Sequence, residues 1–142
     1  RPLNNQYLNP IMEKIRKKYI CKNQIKKGIS GTKDLLKYFK LGTSIALMID
    51  QRVSEGVRSK FFGKEALTTT IPAQFVKKFN CKIIPIHILR KADNNFKLKV
   101  FKPLQFSKNE SIETITLSLN SILEKMINEN PSQWIWTHNR WK

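Results

Sequence analysis

The stretch Ser107–Asn128, SKNESIETITLSLNSILEKMIN, carries the strongest folding pattern in the chain. Its large apolar residues recur at helical spacing, at Ile112, Ile115, Leu119, Ile122, Leu123, Met126 and Ile127. Ser107 and Glu110 before them have the Ser-x-x-Glu spacing of a capping box. The stretch therefore predicts a helix that follows this box, runs to about Asn128 and turns one face into a core.

Upstream of this helix the pattern changes from helical to extended. KIIPIHILR (82–90) and FKLKVFKP (96–103) are rich in branched and aromatic residues, and KADNN lies between them. Such segments on either side of a short polar turn predict a pair of strands. TSIALMID (43–50) is a nearly continuous apolar run, which is typical of a buried strand in a parallel or mixed sheet.

Three further segments predict helices, over residues 8–20, 31–42 and 68–79. Pro72 fits the first turn of the third, where its missing N–H does no harm. Residues 51–60 are polar and predict a loop after the strand at 43–50. Because helices alternate with strands along the chain, the sequence predicts an α/β domain.

Composition sets limits on function. The chain has 142 residues, enough for one domain, and a net charge of +17. Such a charge points to an anionic partner, which could be nucleic acid, an anionic membrane surface or a phosphorylated substrate. A composition rich in Lys, Asn and Ile also suggests that part of the excess is codon drift. Cys21 and Cys81 form no metal-ligand spacing with either histidine, so we expect free, buried thiols and no metal.

Three positions could carry chemistry or could be structural. Asp50 ends an apolar strand, where α/β domains gather reactive groups, yet on the pattern alone a loop-ordering or capping Asp is the more common role. Phe61, Phe62 and Gly63 are expected in the same loop, either lining an apolar pocket or filling the core. His87 lies in a predicted buried strand, where a core role is the more common one, and its spacing to Asp93 is not that of a catalytic pair.

Known catalytic and nucleic-acid-binding patterns are absent from this sequence. It contains no nucleophile elbow, phosphate loop or zinc spacing. Its lysines are spread over every element, and no recognised nucleic-acid-binding motif appears. No apolar run reaches the ~18 residues of a membrane-spanning helix.

The chain closes with PSQWIWTHNRWK (131–142), which holds all three tryptophans. A tryptophan combines a large apolar body with one N–H donor, so it suits a packed but partly wet boundary. This segment is therefore predicted to dock against another surface, and a purely structural clasp is one interpretation of it.

An ordered set of segments resembles the lipid A biosynthesis acyltransferases, the lauroyl and myristoyl transferases of the lysophospholipid acyltransferase superfamily. The set comprises RPLNN at the start, DQ at Asp50–Gln51, FFG followed by a threonine cluster, IIPIHILR and the closing PSQWIWTHNRWK. The closing segment is similar to the family's Pro-Glu-Gln-Trp-x-Trp-x-His-Arg-Arg-Trp, with Ser132 for the Glu and Asn139 for the first Arg. The resemblance covers nearly the whole chain.

The resemblance implies a glycerolipid-acyltransferase-like fold, a mixed, largely parallel sheet flanked by helices. It also implies transfer of a fatty acyl chain from an acyl carrier protein or CoA thioester to a hydroxyl of a phosphorylated glucosamine lipid, without a cofactor. The family's catalytic His-x4-Asp/Glu does not occur here. We therefore expect residues 1–142 to be the C-terminal part of one acyltransferase domain that is inactive alone and poorly soluble.

The resemblance also assigns expected site residues. It places the acceptor-binding groups at Arg1, Asp50, Gln51, Arg90, His138 and Arg140. It places the acyl-chain groove at Phe61, Phe62 and Gly63, and Pro85 in a strand beneath the site.

The expected partners are acyl carrier protein, the phosphorylated glucosamine lipid and the anionic inner membrane surface, with no nucleic acid. The implied location is the cytoplasmic face of the bacterial inner membrane, reached through an anchor outside this sequence. The competing interpretation is a non-catalytic basic module that binds RNA or an anionic membrane, and it leaves the ordered aromatic segments unexplained.

Overall fold

The computed structural model describes residues 3–25 and 28–142, which form two compact units, one up to Ala46 and one from Leu47 to Lys142. The first unit contains two helices, α1 (Leu8–Tyr19) and α2 (Ile29–Lys40). Both are amphipathic, and α2 buries Leu35 as its pattern predicts. The apolar side of α1 is largely exposed, with Leu8 at 51% and Ile11 at 56%.

The second unit holds two antiparallel hairpins and two helices. The elements are β1 (Val57–Phe61), β2 (Lys64–Thr68), α3 (Ile71–Phe79), β3 (Ile86–Arg90), β4 (Phe96–Val100) and α4 (Ile112–Glu129). The strands pair β1 with β2 and β3 with β4. The α/β class is confirmed. Among residues 3–25 and 28–142 no parallel strand pair occurs, so the largely parallel sheet is not confirmed.

The predicted strand at residues 43–50 is wrong for this structure. The segment forms no strand, and Met48 within it is 81% exposed. An apolar run becomes a strand only when a neighbour accepts and donates the ladder hydrogen bonds. In the described part of the chain no strand pairs with this run. A strand prediction based on its composition alone is therefore wrong.

The hairpin β1–β2 replaces much of the predicted loop at residues 51–60. Phe61 pairs with Lys64, which leaves Phe62 and Gly63 as a two-residue turn. Both residues have positive φ, at 49° and 73°, as the tight hairpin turns that match strand twist require. The Phe-Phe-Gly segment is therefore a hairpin turn and not part of a loop after a strand at 43–50.

The helix α4 confirms the opening prediction over most of its length. The predicted capping box is only half formed, because Glu110 accepts from the Ser107 backbone N–H at 2.6 Å while Ser107 Oγ accepts from Asn109. The helix instead begins after Ser111, whose Oγ accepts from the Thr114 backbone N–H at 3.1 Å. A serine at this position satisfies one of the free N–H groups of the first turn.

Two apolar clusters lie along α4. The first joins α3 to α4 through Ala73, Val76, Ile115 and Leu119. The second, nearer the helix C-terminus, joins the β1–β2 hairpin to α4 through Phe61, Ala66 and Ile127, and the tail tryptophans Trp134 and Trp141 pack on it. The helix α4 thus organises the second unit.

The hairpin β3–β4 confirms the predicted strand pair over residues 86–90 and 96–100 and exposes one apolar face. The prediction that Pro85 lies in a strand is wrong, because β3 begins only after this residue, which has no N–H to donate to a ladder. Cross-strand partners Ile86 and Val100, and Ile88 and Leu98, lie on the apolar face and are each 54–62% exposed. Leu89 on the opposite face is buried. Contiguous apolar surface of this kind is uncommon on a monomeric protein and promotes association.

We expect replacement of both Ile88 and Leu98 by threonine to raise the monomer fraction of the purified chain several-fold, because the double substitution removes the apolar centre of this face. Threonine is β-branched, so the strands themselves should be preserved. Light scattering after size-exclusion chromatography measures the effect. Wild-type association should increase with salt, since screening weakens repulsion between +17 chains. Lys97→Thr alters the other face and is the control. Equal association of the double variant and the control would show that another surface drives it.

Candidate functional site

The C-terminal tail, Pro131–Lys142, docks on the β1–β2 hairpin as predicted. It starts with a 3₁₀ turn at Pro131–Gln133. The Trp141 indole N–H donates to the Phe61 carbonyl at 2.9 Å, and the rings of Trp134 and Trp141 lie 5.8 and 5.6 Å from that of Phe61. Trp136 donates its indole N–H to the Pro131 carbonyl at 2.8 Å and stays 47% exposed. Each tryptophan thus uses its apolar body for packing, and two of them use the N–H to fix the tail.

Arg140 is the most unusual residue of the tail because its side chain is fully buried. Its Nη1 donates to the Leu67 carbonyl, its Nη2 donates to Thr68 Oγ1 at 3.0 Å, and its guanidinium lies 5.4 Å from the Phe61 ring centre. Burial lowers the pKa of Arg140, and the Asp50 carboxylate acts in the opposite direction. A buried cation needs such compensation, so Arg140 depends on hydrogen bonds, the aromatic ring and Asp50 together.

A polar network continues from Arg140 into α4. Thr68 Oγ1 donates to the Ala66 carbonyl at 3.0 Å and also accepts from the Asn120 side-chain amide at 3.3 Å. The same amide donates to Ser59 Oγ and to the Lys60 carbonyl, at 3.2 and 3.1 Å. Asn120 is fully buried on α4, so it ties the helix, both hairpin strands and the tail into one network.

Asp50 and its neighbours lie beside the tail. The backbone N–H of Arg52 donates to His138 Nε2 at 3.3 Å, so this imidazole carries its proton on Nδ1. Asp50 is half-buried and near enough to Arg140 to act on its charge. Four of the predicted acceptor-binding residues, Asp50, Gln51, His138 and Arg140, therefore belong to one region of the second unit.

The other two predicted acceptor-binding residues are Arg1 and Arg90. Arg1 lies outside the described residues. Arg90 ends β3 and lies over the Phe96 ring at 5.8 Å. Its backbone N–H and C=O exchange hydrogen bonds with the Gln133 side chain at 2.8 and 3.0 Å, so it is linked to the start of the tail only.

The three predicted groove residues have different environments. Phe61 is fully buried, and Phe62 is half-buried with its ring 5.9 Å from that of Trp136. The Phe62 backbone N–H donates to Glu124 on α4 at 2.6 Å, which fixes the turn. Phe62 and the exposed Trp136 thus offer apolar surface, whereas Phe61 supports it from beneath.

His87 lies on the side of β3 that faces α4, as expected for a structural histidine, but it is not fully satisfied. Its buried Nδ1 has no hydrogen-bond partner among the described residues and lies 3.8 Å from Glu129. A hydrogen bond from Lys99 lowers the pKa of Glu129. Near this group an open cavity of about 370 Å³ separates α4 from the segment around β4, and it is lined by Pro85, Phe101, Lys102, Leu104, Ile122, Lys125, Met126 and Glu129.

The two cysteines are free, but the prediction that both are buried is wrong for Cys21. Cys21 is exposed, whereas burial raises the pKa of the half-buried Cys81. Within residues 3–25 and 28–142, no group of three His, Cys, Asp or Glu side chains could hold a metal ion. Among the described helices, none has the length and apolar character needed to cross a membrane.

Sequence reasoning missed Thr68 and Asn120, the polar residues that hold this region together, and Gln133, which links the start of the tail to Arg90. Asn120 directly follows Leu119 on the apolar side of α4. It therefore interrupts the apolar pattern, and this interruption is the sequence feature that indicates a buried polar residue. Gln133 belongs to the closing aromatic segment, where the tryptophan pattern gives no indication of its contact with Arg90.

The comparisons with known proteins support a single assignment. The family model for bacterial lipid A biosynthesis acyltransferases matches residues 1–142, the whole chain. No curated protein matches the chain.

Proposed function

We propose, because this chain belongs to the bacterial lipid A biosynthesis acyltransferase family, that it serves transfer of a fatty acyl chain from an acyl carrier protein or CoA thioester to a hydroxyl of a lipid A precursor. The observation that carries the proposal is the family match over all 142 residues. In the reaction, the acceptor oxygen bonds the thioester carbonyl carbon and the carbon–sulfur bond breaks. The hydroxyl proton passes through a general base to the leaving thiolate.

The general base is not among these residues. The fifth residue after His87 is Ala92, so His87 does not start a His-x4-acid motif, and no complete motif lies within residues 1–142. We therefore propose that these 142 residues alone do not catalyse the acyl transfer. They supply acceptor-binding and acyl-binding surfaces to a catalytic group located elsewhere.

For the acceptor, the proposed contacts are Asp50 and Gln51. A half-buried carboxylate and an adjacent amide can accept and donate hydrogen bonds to sugar hydroxyls. Arg90 and Arg1 are the proposed phosphate contacts, because a guanidinium binds phosphate through two parallel hydrogen bonds.

For the acyl chain, the proposed contact surface is Phe62 with Trp136 and Ile135. Trp136 and Ile135 are 47% and 70% exposed, and the Trp136 ring lies 5.9 Å from that of the half-buried Phe62. An acyl chain that covered them would remove apolar area from water at ~25 cal/mol per Å². Phe61 and Gly63 would shape this surface without covering it.

The charge of +17 fits the remaining proposed partners, which are the acidic acyl carrier protein, the phosphorylated acceptor and the anionic face of the inner membrane. Each Lys or Arg near an anionic bilayer contributes about 1 kcal/mol to binding. No cofactor is needed for this chemistry.

The proposal is tested by equilibrium binding of the 142-residue chain to a bisphosphorylated glucosamine-disaccharide lipid in neutral detergent micelles. The dephosphorylated lipid and a short RNA are the comparison ligands. We expect Asp50→Asn to weaken binding of the phosphorylated lipid about tenfold, because a hydrogen bond to a charged group contributes about 1.5 kcal/mol or more.

The matched control is Asp93→Asn, which changes an equivalent charge in the β3–β4 turn and should leave binding unchanged. Preference for RNA with a steep salt dependence would favour the non-catalytic basic module instead. An equal loss in both variants would contradict a specific contact at Asp50, and an equal gain in both would show that net charge alone governs binding.

A further inference from the structure

We propose that the C-terminal tail is a positioning device for the Asp50–Arg52 loop, so that His138 and Arg140 act on the acceptor through Asp50 and Gln51 and do not touch it. This inference rests on the proposed function for its substrate and on the contacts of the tail for its mechanism.

Arg140 is excluded from direct contact by its burial. Its side chain has no exposed surface, and two of its N–H-bearing nitrogens are committed to Leu67 and Thr68 of β2. Its remaining donor atom, Nε, is buried and makes no hydrogen bond among the described residues. Arg140 can therefore influence a bound molecule only through its neighbours, and the charged neighbour is Asp50.

His138 reaches the same loop by a hydrogen bond. Its Nε2 accepts from the Arg52 backbone N–H at 3.3 Å across 86 positions of sequence. Only an imidazole with a free lone pair on Nε2 can accept this bond. The bond fixes the residue that directly follows Gln51, and the charge of Arg140 acts electrostatically on Asp50, which directly precedes it, so both tail residues act on the neighbours of Gln51.

The tail can do this because it is itself immobilised. The Trp141 indole N–H bonds to Phe61, Arg140 bonds to β2, and Trp136 bonds back to Pro131. A loop held against a fixed partner keeps its polar groups in one geometry, which lowers the entropy lost when a ligand binds.

The first readout is the exchange rate of the Arg52 amide proton with water, measured by NMR on the labelled 142-residue chain. His138→Ala removes the acceptor and should increase this rate about fivefold. His138→Gln keeps an acceptor oxygen near the Nε2 position and should retain most of the protection. His87→Gln is the matched control and should leave the Arg52 amide unchanged.

The second readout is binding of the bisphosphorylated glucosamine lipid in the same micelles. We expect His138→Ala to weaken it about threefold and His138→Gln to restore it. An unchanged Arg52 exchange rate in His138→Ala would overturn the inference. Loss of binding in His138→Gln with a protected Arg52 amide would also overturn it, because His138 would then touch the lipid itself.

The two proposals fail separately. If the wild-type chain binds no phosphorylated lipid, the proposed function falls, while the Arg52 exchange rates still decide whether the tail positions the loop.

Discussion

Replacement of Phe61 by alanine is expected to lower the free energy of unfolding of the Leu47–Lys142 unit by about 4 kcal/mol. Phe61 is fully buried at the end of β1 and contacts the rings of Phe62, Trp134 and Trp141. Its ring also lies against the Arg140 guanidinium. Truncation would open a cavity between the hairpin, α4 and the tail, and it would remove the ring that stabilises a buried cation.

Urea denaturation followed by tryptophan fluorescence measures this loss, since all three tryptophans lie in the affected region. Phe61→Leu keeps much of the volume and should cost about 1.5 kcal/mol. Phe62→Ala at the neighbouring, half-buried position should cost less than Phe61→Ala and should mainly weaken acyl-chain binding. Equal destabilisation by the two alanine variants would contradict the different roles assigned to Phe61 and Phe62.

The apolar patterns predicted what depends on local spacing. The four helices follow from their 3.6-residue periodicity, and the β3–β4 pair follows from two extended segments around a polar turn. The docking of the tail followed from the clustering of tryptophan. These features need little information from distant parts of the chain.

What failed depends on partners that a pattern does not specify. Residues 43–50 have the composition of a buried strand, but a strand needs a neighbour with matching hydrogen-bonding groups. The β1–β2 hairpin was missed because VRSKF and KEALT are too polar to stand out, and because the turn places a phenylalanine at positive φ, where glycine, asparagine or aspartate is more usual.

The candidate site was predicted in part for the same reason. Asp50, His138 and Arg140 were named from the resemblance, but their proximity comes from the tail folding back across the hairpin. The burial of Arg140 depends on Thr68, on Phe61 and on the space that β2 leaves beside them. A charged residue near a chain end is more often exposed, so no sequence rule predicts a fully buried one.

Replacement of Gly56 by alanine is the second change with a large expected effect, a loss of about 3 kcal/mol in the free energy of unfolding. Gly56 precedes β1 with a φ of 157°, and a Cβ built on it would lie 2.1 Å from the Thr68 carbonyl oxygen. This contact is with backbone at the end of β2, so no side-chain rotation can relieve it. Relief requires the β1 and β2 ends to move apart, and Thr68 belongs to the network that holds Arg140 and Asn120.

Gly63 provides the matched control, because its φ of 73° is also positive but a Cβ there would meet nothing within 4 Å. Gly63→Ala should therefore cost only about 1 kcal/mol, the usual penalty for a left-handed alanine. If displacement of Thr68 is the cause of the larger loss, Gly56→Ala should also accelerate exchange of the Arg52 amide by loosening the tail, whereas Gly63→Ala should not. Equal stability of the two variants would show that the ends of β1 and β2 separate freely, and that the close approach at Gly56 does not fix the Arg140 network.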